Sequence, residues 1–254
     1  MVRRFPILDH PSANAIAHRG GSLEAEENTL PAFAHAVATG FSHVELDVHA
    51  TRDGVVMVHH DPTLERMTGD TRAIADLDWS ELRAIRTHGG AGIPRREDVL
   101  AAHPGRVINI EAKSDRVVEP LAELIGRMDA LDRIGTGSFQ SARTHGLRAR
   151  LGEGLCWSPA HGPVLGLWLR GWGLPLSWAG FAVVQVPEYY RGIPVVTPRF
   201  VRAAHRLGVR VQVWTVNDAD AMVRLLDMGV DGLMTDRPTV LRAVLERRGE
   251  WRGG

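Results

Sequence analysis

Three short groups of residues between His18 and Asp61 have the side chains for hydrolytic chemistry. They are His18-Arg19-Gly20, Glu45-Leu46-Asp47 and His59-His60-Asp61, each ending a short β-prone run. Side chains alternate along a strand, so Glu45 and Asp47 point to one face and could floor a divalent-cation site. A histidine beside an arginine, with a second histidine further on, adds a proton carrier and an anion clamp. Together these describe a metal-assisted site for a phosphate ester. Glu111 and Lys113, two apart in a later run, share a face in the same way. Of the adjacent pair His59 and His60, only one can face such a site.

The elements that must position these residues follow from periodicity. Candidate strands are Ala15–His18, Val44–His49, Val55–His60, Val107–Lys113, Ile134–Phe139, Gly154–Ser158, Phe181–Val186, Arg210–Val216 and Gly232–Thr235. Several are almost wholly apolar, as in parallel strands covered on both faces. Helical stripes lie between most of them: Thr29–Thr39, Val117–Asp129, Ser141–Leu151, Pro198–Leu207, Ala219–Met228 and Pro238–Arg247. Asn28 or Thr29 can cap the first, and Gly40, Gly208 and Gly229 stand where left-handed C-cap residues belong. The alternation predicts an α/β fold, a (β/α)8 TIM barrel, and 254 residues suit one such domain spanning 1–254. Ala50–Gly54 is too short for a helical crossover. The expectation is a helix dropped between two barrel strands, with a locally antiparallel pair as the alternative. Met67–Pro104, with a helix near Trp79–Arg86 and the run Gly89-Gly90-Ala91-Gly92, reads as a small insertion over the barrel mouth.

In a barrel the strand C-termini meet at one face, which carries the active site. His18, Arg19, Glu45, Asp47, His60, Glu111 and Lys113 would gather there. Buried charges on such strands need one another or a ligand. Arg19 could clamp a phosphate with two parallel bonds, and a salt bridge to Glu27 or Glu45 is its structural alternative. Trp214 ends a late strand and is either a pocket wall or ordinary core.

Lys plus Arg and Asp plus Glu both number 30, so no basic footprint points to nucleic acid. Cys156, the single cysteine, cannot form an internal disulfide. The first 20 residues lack the apolar stretch of a signal peptide, and the expected location is cytoplasmic. Pro163–Pro187 has the length of a membrane span but is broken by Arg170, Gly166, Gly171, Gly173, Pro175 and Gly180. It is read as a barrel helix, its loop and the next strand.

In sequence order, His18-Arg19-Gly20, Glu27-Asn28-Thr29, Glu45-Leu46-Asp47-Val48, Thr51-Arg52-Asp53-Gly54, His60-Asp61 with Leu64, Ile110-Glu111-Ala112-Lys113, Val213-Trp214-Thr215-Val216-Asn217 and Gly232 to Pro238 form an ordered set. This set resembles the glycerophosphodiester phosphodiesterase family through nearly the whole chain. The resemblance implies a (β/α)8 barrel that uses a divalent cation to cleave glycerophosphodiesters to sn-glycerol 3-phosphate and an alcohol. It implies Glu45, Asp47 and Glu111 as metal ligands, His18 and His60 as the acid/base pair, and Arg19 and Lys113 as phosphate contacts; such an all-carboxylate set suits a hard cation, Mg²⁺ or Ca²⁺, with Mn²⁺ also admissible. Glu26 departs from the family's usual proline, which should alter loop stiffness more than chemistry. Leu155–Val195 matches little beyond strand pattern.

Other functions are weighed on the same residues. Trp157, Trp168, Trp172 and Trp178 suggest contact with a lipid surface and cleavage of lysophospholipids, because Trp favours interfaces. Trp168 and Trp172 are four apart, however, and read first as a buried helix stripe. A metabolite-binding barrel without catalysis would not need two histidines. A lyase stopping at a cyclic phosphate would use the same groups.

Overall fold

The structure, a computed structural model, describes residues 5–174 and 180–253. Trp178 and Pro175 of the central segment, and Arg3 and Arg4, lie outside the described residues. The strands are β1 Asn14–Ala17, β2 His43–Ala50, β3 Val56–Val58, β4 Val107–Ala112, β5 Ile134–Gly137, β6 Cys156–Trp157, β7 Val183–Pro187, β8 Tyr189–Tyr190, β9 Ile193–Pro194, β10 Arg210–Trp214 and β11 Gly232–Thr235. The helices are α1 Leu30–Ala38, α2 Glu65–Thr68, α3 Trp79–Leu82, α4 Arg96–Ala102, α5 Val118–Arg127, α6 Ser141–Leu151, α7 His161–Gly171, α8 Pro198–Arg206, α9 Ala219–Asp227 and α10 Pro238–Arg247.

Eight parallel strands run in the order β6, β5, β4, β2, β1, β11, β10, β7. Helices lie between them and the barrel is nearly closed. At the seam between β6 and β7, the Gln185 N–H donates to Ser158 Oγ at 2.8 Å. Alternation sorts each strand. On β2 and β4, Val44, Leu46, Val48, Ile108, Ile110 and Ala112 join the large apolar core beneath the helices. Glu45 and Glu111, on the opposite face, line the barrel mouth.

The lower barrel is filled with amides and plugged. Gln185 Nε2 bonds Asn109 Oδ1 and Gln212 Oε1, each at 2.9 Å. Ile7 and Leu8 pack against Cys156, Ala182 and Val183 at that end. Hydroxyl and carboxylate caps start the helices, since the first-turn N–H groups have no partner within the helix. Thr29, Thr197 and Asp218 accept from Ala32, Phe200 and Ala221 at 3.3, 3.2 and 2.9 Å.

The expected dropped helix is not what the chain does. β3 pairs antiparallel with β2, with Val48 opposite Val58 and Ala50 opposite Val56. It lies off the barrel path. A five-residue link cannot carry a strand back to start a parallel neighbour, so it turns into a hairpin. The crossover from β2 to β4 is completed by α4, at the end of the 67–104 insertion. That insertion packs Ile74, Leu77, Leu82 and Ile93 against Met57 of β3 and Leu64 in a small separate core. Its central helix is a single turn, Trp79–Leu82, shorter than the sequence suggests.

The Trp stripe also differs from its expectation. Trp157 is buried, but Trp172 is 59% exposed. Among the described residues no helix is long and apolar enough to cross a membrane.

Candidate active site

Strand register brings the carboxylates together. Parallel pairing sets Asp47 beside Glu111 and Glu45 beside Asn109. One oxygen from each of Glu45, Asp47 and Glu111 lies within 4.8 Å of the other two. Glu45 is 4% exposed and Asp47 1%. Asn28 Nδ2 donates to Asp47 Oδ2 at 3.0 Å. Lys113 Nζ sits 3.4 Å from Glu111 Oε2 and 3.6 Å from Asp47 Oδ1. Burial, then repulsion from Asp47, pushes the Glu45 carboxyl up to about 8 against the pull of His18. Burial raises Glu111 as well, although Lys113 opposes it. Buried carboxylates that repel one another in this way fit a hard divalent cation, which would supply the charge they lack.

The turn after β1 delivers His18 and Arg19. Arg19 has φ of 51° and Gly20 has φ of 84°. A Cβ on Gly20 would stand 2.7 Å from the Ala32 Cβ, so the glycine lets the turn press against α1. The Arg19 N–H donates to Glu45 Oε2 at 3.2 Å. Its Nη1 donates to Glu27 Oε1 at 3.2 Å. Its Nε is 3.0 Å from Asp47 Oδ2 without hydrogen-bond alignment, leaving that buried N–H unsatisfied.

Two histidines stand on carboxylates. His18 Nδ1 is 2.6 Å from Asp236 Oδ1, and its Nε2 is 3.8 Å from Glu45 Oε2. Asp236 also accepts from Ser22 Oγ at 2.5 Å and Asn217 Nδ2 at 2.8 Å. Burial works against ionised Asp236, but these bonds hold it at about 2. Burial likewise works against protonated His18, but Glu45 and Asp236 outweigh it and raise its pKa. His60 Nδ1 is 2.6 Å from Asp61 Oδ1. Arg66, from α2, donates through Nε to Asp61 at 2.5 Å and through Nη2 to Glu27 at 2.6 Å. One guanidinium therefore links the carboxylate under His60 to the carboxylate that holds Arg19.

His18, Arg19, Glu45, His60, Glu111, Lys113 and Trp214 line one cavity of about 210 Å³. Asp47 lies beneath them. The cavity continues past Phe139, Pro159, His161, Val164 and Pro187. Trp214 is thus a pocket wall, packed edge-on against Phe139 at 5.3 Å between centroids. His59 turns the other way, its Nε2 3.1 Å from the Thr63 carbonyl. Arg19 takes the salt bridge to Glu27, and it also lines the cavity.

Sequence reasoning missed the supporting residues. Asn28 was read as a possible cap, but Thr29 caps α1 while Asn28, with φ of 57°, reaches Asp47. Asp236 follows the last barrel strand, and that position was its signal. Arg66, Phe139 and His161 carried no signal, because their roles come from chain crossings far apart in sequence. Glu26 accepts from Thr87 Oγ1 at 2.6 Å and the Gly89 N–H at 2.9 Å. It ties the loop before α1 to the insertion.

Comparison with known proteins identifies the family and the fold. The model of the glycerophosphoryl diester phosphodiesterase family matches residues 18–240. The Mycobacterium tuberculosis protein named probable glycerophosphodiester phosphodiesterase 2 is 39% identical over 256 residues, covering 97% of this chain and 96% of that one. The solved glycerophosphodiester phosphodiesterase of Thermotoga maritima is 25% identical with a TM-score of 0.72, covering 94% of this chain and 100% of that one. An Oleispira antarctica phosphodiesterase, solved in complex with sn-glycerol-3-phosphate, shares the fold at a TM-score of 0.78 and 22% identity, covering 92% of this chain and 96% of that one. The family match spans all eight site residues read from the sequence, and the chain belongs to the glycerophosphoryl diester phosphodiesterase family.

Proposed function

We propose that this barrel is one catalytic domain that hydrolyses small glycerophosphodiesters to sn-glycerol 3-phosphate and an alcohol. The observation that carries the reading is the convergence of three carboxylates, two cations and two carboxylate-anchored histidines on one cavity. A divalent cation, Mg²⁺ or Ca²⁺, held by Glu45, Asp47 and Glu111 would supply Lewis-acid polarisation of a phosphoryl oxygen.

The chain's own residues do the rest. Arg19 and Lys113 draw the phosphate into the cavity and hold charge as it grows on the equatorial oxygens. The unsatisfied Arg19 Nε–H is a donor in keeping with that role. Asp236 and Asp61 fix Nδ1 of His18 and His60, leaving each Nε2 for proton transfer. One histidine takes the proton from the attacking water, or from the glycerol 2-hydroxyl to give a cyclic phosphate that water then opens, as the new P–O bond forms. The other protonates the departing alkoxide as its P–O bond breaks. Trp214 and Phe139 exclude water from one side of the cavity.

The test is release of glycerol 3-phosphate from glycerophosphocholine and glycerophosphoethanolamine with Mg²⁺, Ca²⁺ or Mn²⁺, and with EDTA. Release with metal, abolished by EDTA and in His18→Ala, His60→Ala and Glu45→Gln, is the expected result. Release that survives EDTA and both histidine substitutions would sink the proposal, as would no release with any metal.

A further inference from the structure

Nine large hydrophobic side chains are exposed among the described residues, and seven of them fall between Phe139 and Ile193. Phe139 lines the cavity, and the other six lie on α7, the turn after it and the β8–β9 hairpin. On α7, His161, Leu165, Trp168 and Trp172 recur at the spacing of one helical face. His161 begins this stripe in the cavity wall, 5.8 Å from the Phe139 ring and 5.5 Å from the Tyr190 ring. Trp168 Nε1 donates to the Pro194 carbonyl at 3.1 Å, which fastens the β8–β9 hairpin beside the helix. Tyr189, Tyr190 and Ile193 on that hairpin are 55%, 44% and 56% exposed. The stripe therefore leaves the cavity and widens into an apolar apron of α7 and the hairpin.

The charges along this stretch are mostly positive. From Leu155 to Phe200 the chain holds Arg170, Arg191 and Arg199 and a single acid, Glu188, in a protein whose charges balance. Glu188 is paired with Arg224 at 2.7 Å. Arg199 lies over the Trp172 ring at 4.5 Å and Arg191 over Tyr190 at 5.5 Å. Exposed Trp and Tyr edged by arginine suit the headgroup layer of a membrane, where rings sit among the lipid glycerols and guanidinium groups meet anionic phosphates.

We infer that this face seats the barrel mouth on the surface of an anionic phospholipid bilayer. The inference does not rest on the catalytic reading, since none of Leu165, Trp172, Ile193 and Arg199 lines the cavity. Its consequence is that the mouth opens toward the lipid layer; only the further step, that lipid-derived diesters reach the cavity from there, rests on the catalytic reading.

The test is cosedimentation of the full chain with vesicles of phosphatidylcholine alone and of phosphatidylcholine with phosphatidylglycerol. The expected result is sedimentation with the anionic vesicles, weakened by salt. Ile193→Glu and Arg199→Glu should each reduce the bound fraction several-fold, with unchanged circular dichroism and unchanged turnover of soluble glycerophosphocholine. Arg199→Glu sits on the exposed first turn of α8 and guards against a folding defect in the hairpin variant. No sedimentation with either vesicle would overturn the inference, as would binding by both variants equal to that of the unaltered chain. A dimer in light scattering that Ile193→Glu separates, without vesicle binding, would overturn it in favour of a second copy of the chain.

Discussion

Replacing Arg66 tests how the site is held together. Its guanidinium bonds Asp61 at 2.5 Å and Glu27 at 2.6 Å, and those carboxylates touch His60 and Arg19. Burial would raise Asp61, but the bonds from Arg66 and His60 bring its carboxyl from 3.8 down to about 2. Against that ordinary value the interaction is worth about 2 kcal/mol. It is divided between two partners and screened at Arg66, whose side chain is 47% exposed. Roughly 1 kcal/mol then belongs to Arg66. Because the folded pKa is depressed, this stability is present above pH about 4 and is lost as pH falls toward 2. Arg66→Leu should lower the melting temperature by about 2–4 °C in a chain of this size. The larger effect should be on turnover. His60 and Arg19 would lose a shared brace, and disturbing such support costs roughly 10- to 100-fold. Arg66→Lys keeps the charge but loses the fork, and should fall between the two. Steady-state hydrolysis of glycerophosphocholine, with calorimetry on the same samples, is the assay. In the Arg66→Leu, Asp61→Asn double variant the losses should not multiply, since both break one bridge. Full turnover in Arg66→Leu, with only the melting temperature reduced, would refute the brace and leave a surface ion pair.

Three further outcomes are expected. Asp236→Asn should lower turnover by roughly 10- to 100-fold while the fold survives, because His18 loses the partner that fixes Nδ1; equal pre-steady-state rates would remove that role. Adding Mg²⁺ or Ca²⁺ at about 100 times its Kd should stabilise the chain by about 2.7 kcal/mol in thermal melts. Glu111→Gln should abolish the shift, and an unchanged shift would place the cation elsewhere. Glu26→Ala removes two hydrogen bonds to the insertion, from Thr87 and Gly89. It should cost about 1 kcal/mol and speed proteolysis near Gly89 while sparing turnover.

The nine candidate strands and the main helices are legible in the sequence, because burial on two faces imposes apolar runs and burial on one face imposes a 3.6-residue period. The carboxylate and histidine positions are legible for a related reason. A charge on a buried barrel strand is costly, so Glu45, Asp47 and Glu111 stand out against their neighbours. The hairpin at β3 was misread, since a five-residue link rules out a helix but leaves the direction of the next strand to its packing. The exposure of Trp172 was misread because helical spacing marks a shared face without saying what covers it. Tertiary structure alone decided that His59 turns to the Thr63 carbonyl, and that Asp236, 218 residues away, pairs with His18. It also placed Arg66 between Asp61 and Glu27. Sequence carries the chemistry and periodicity of each segment, because these are local. The partners of each charge are set by chain crossings that close only when the barrel does.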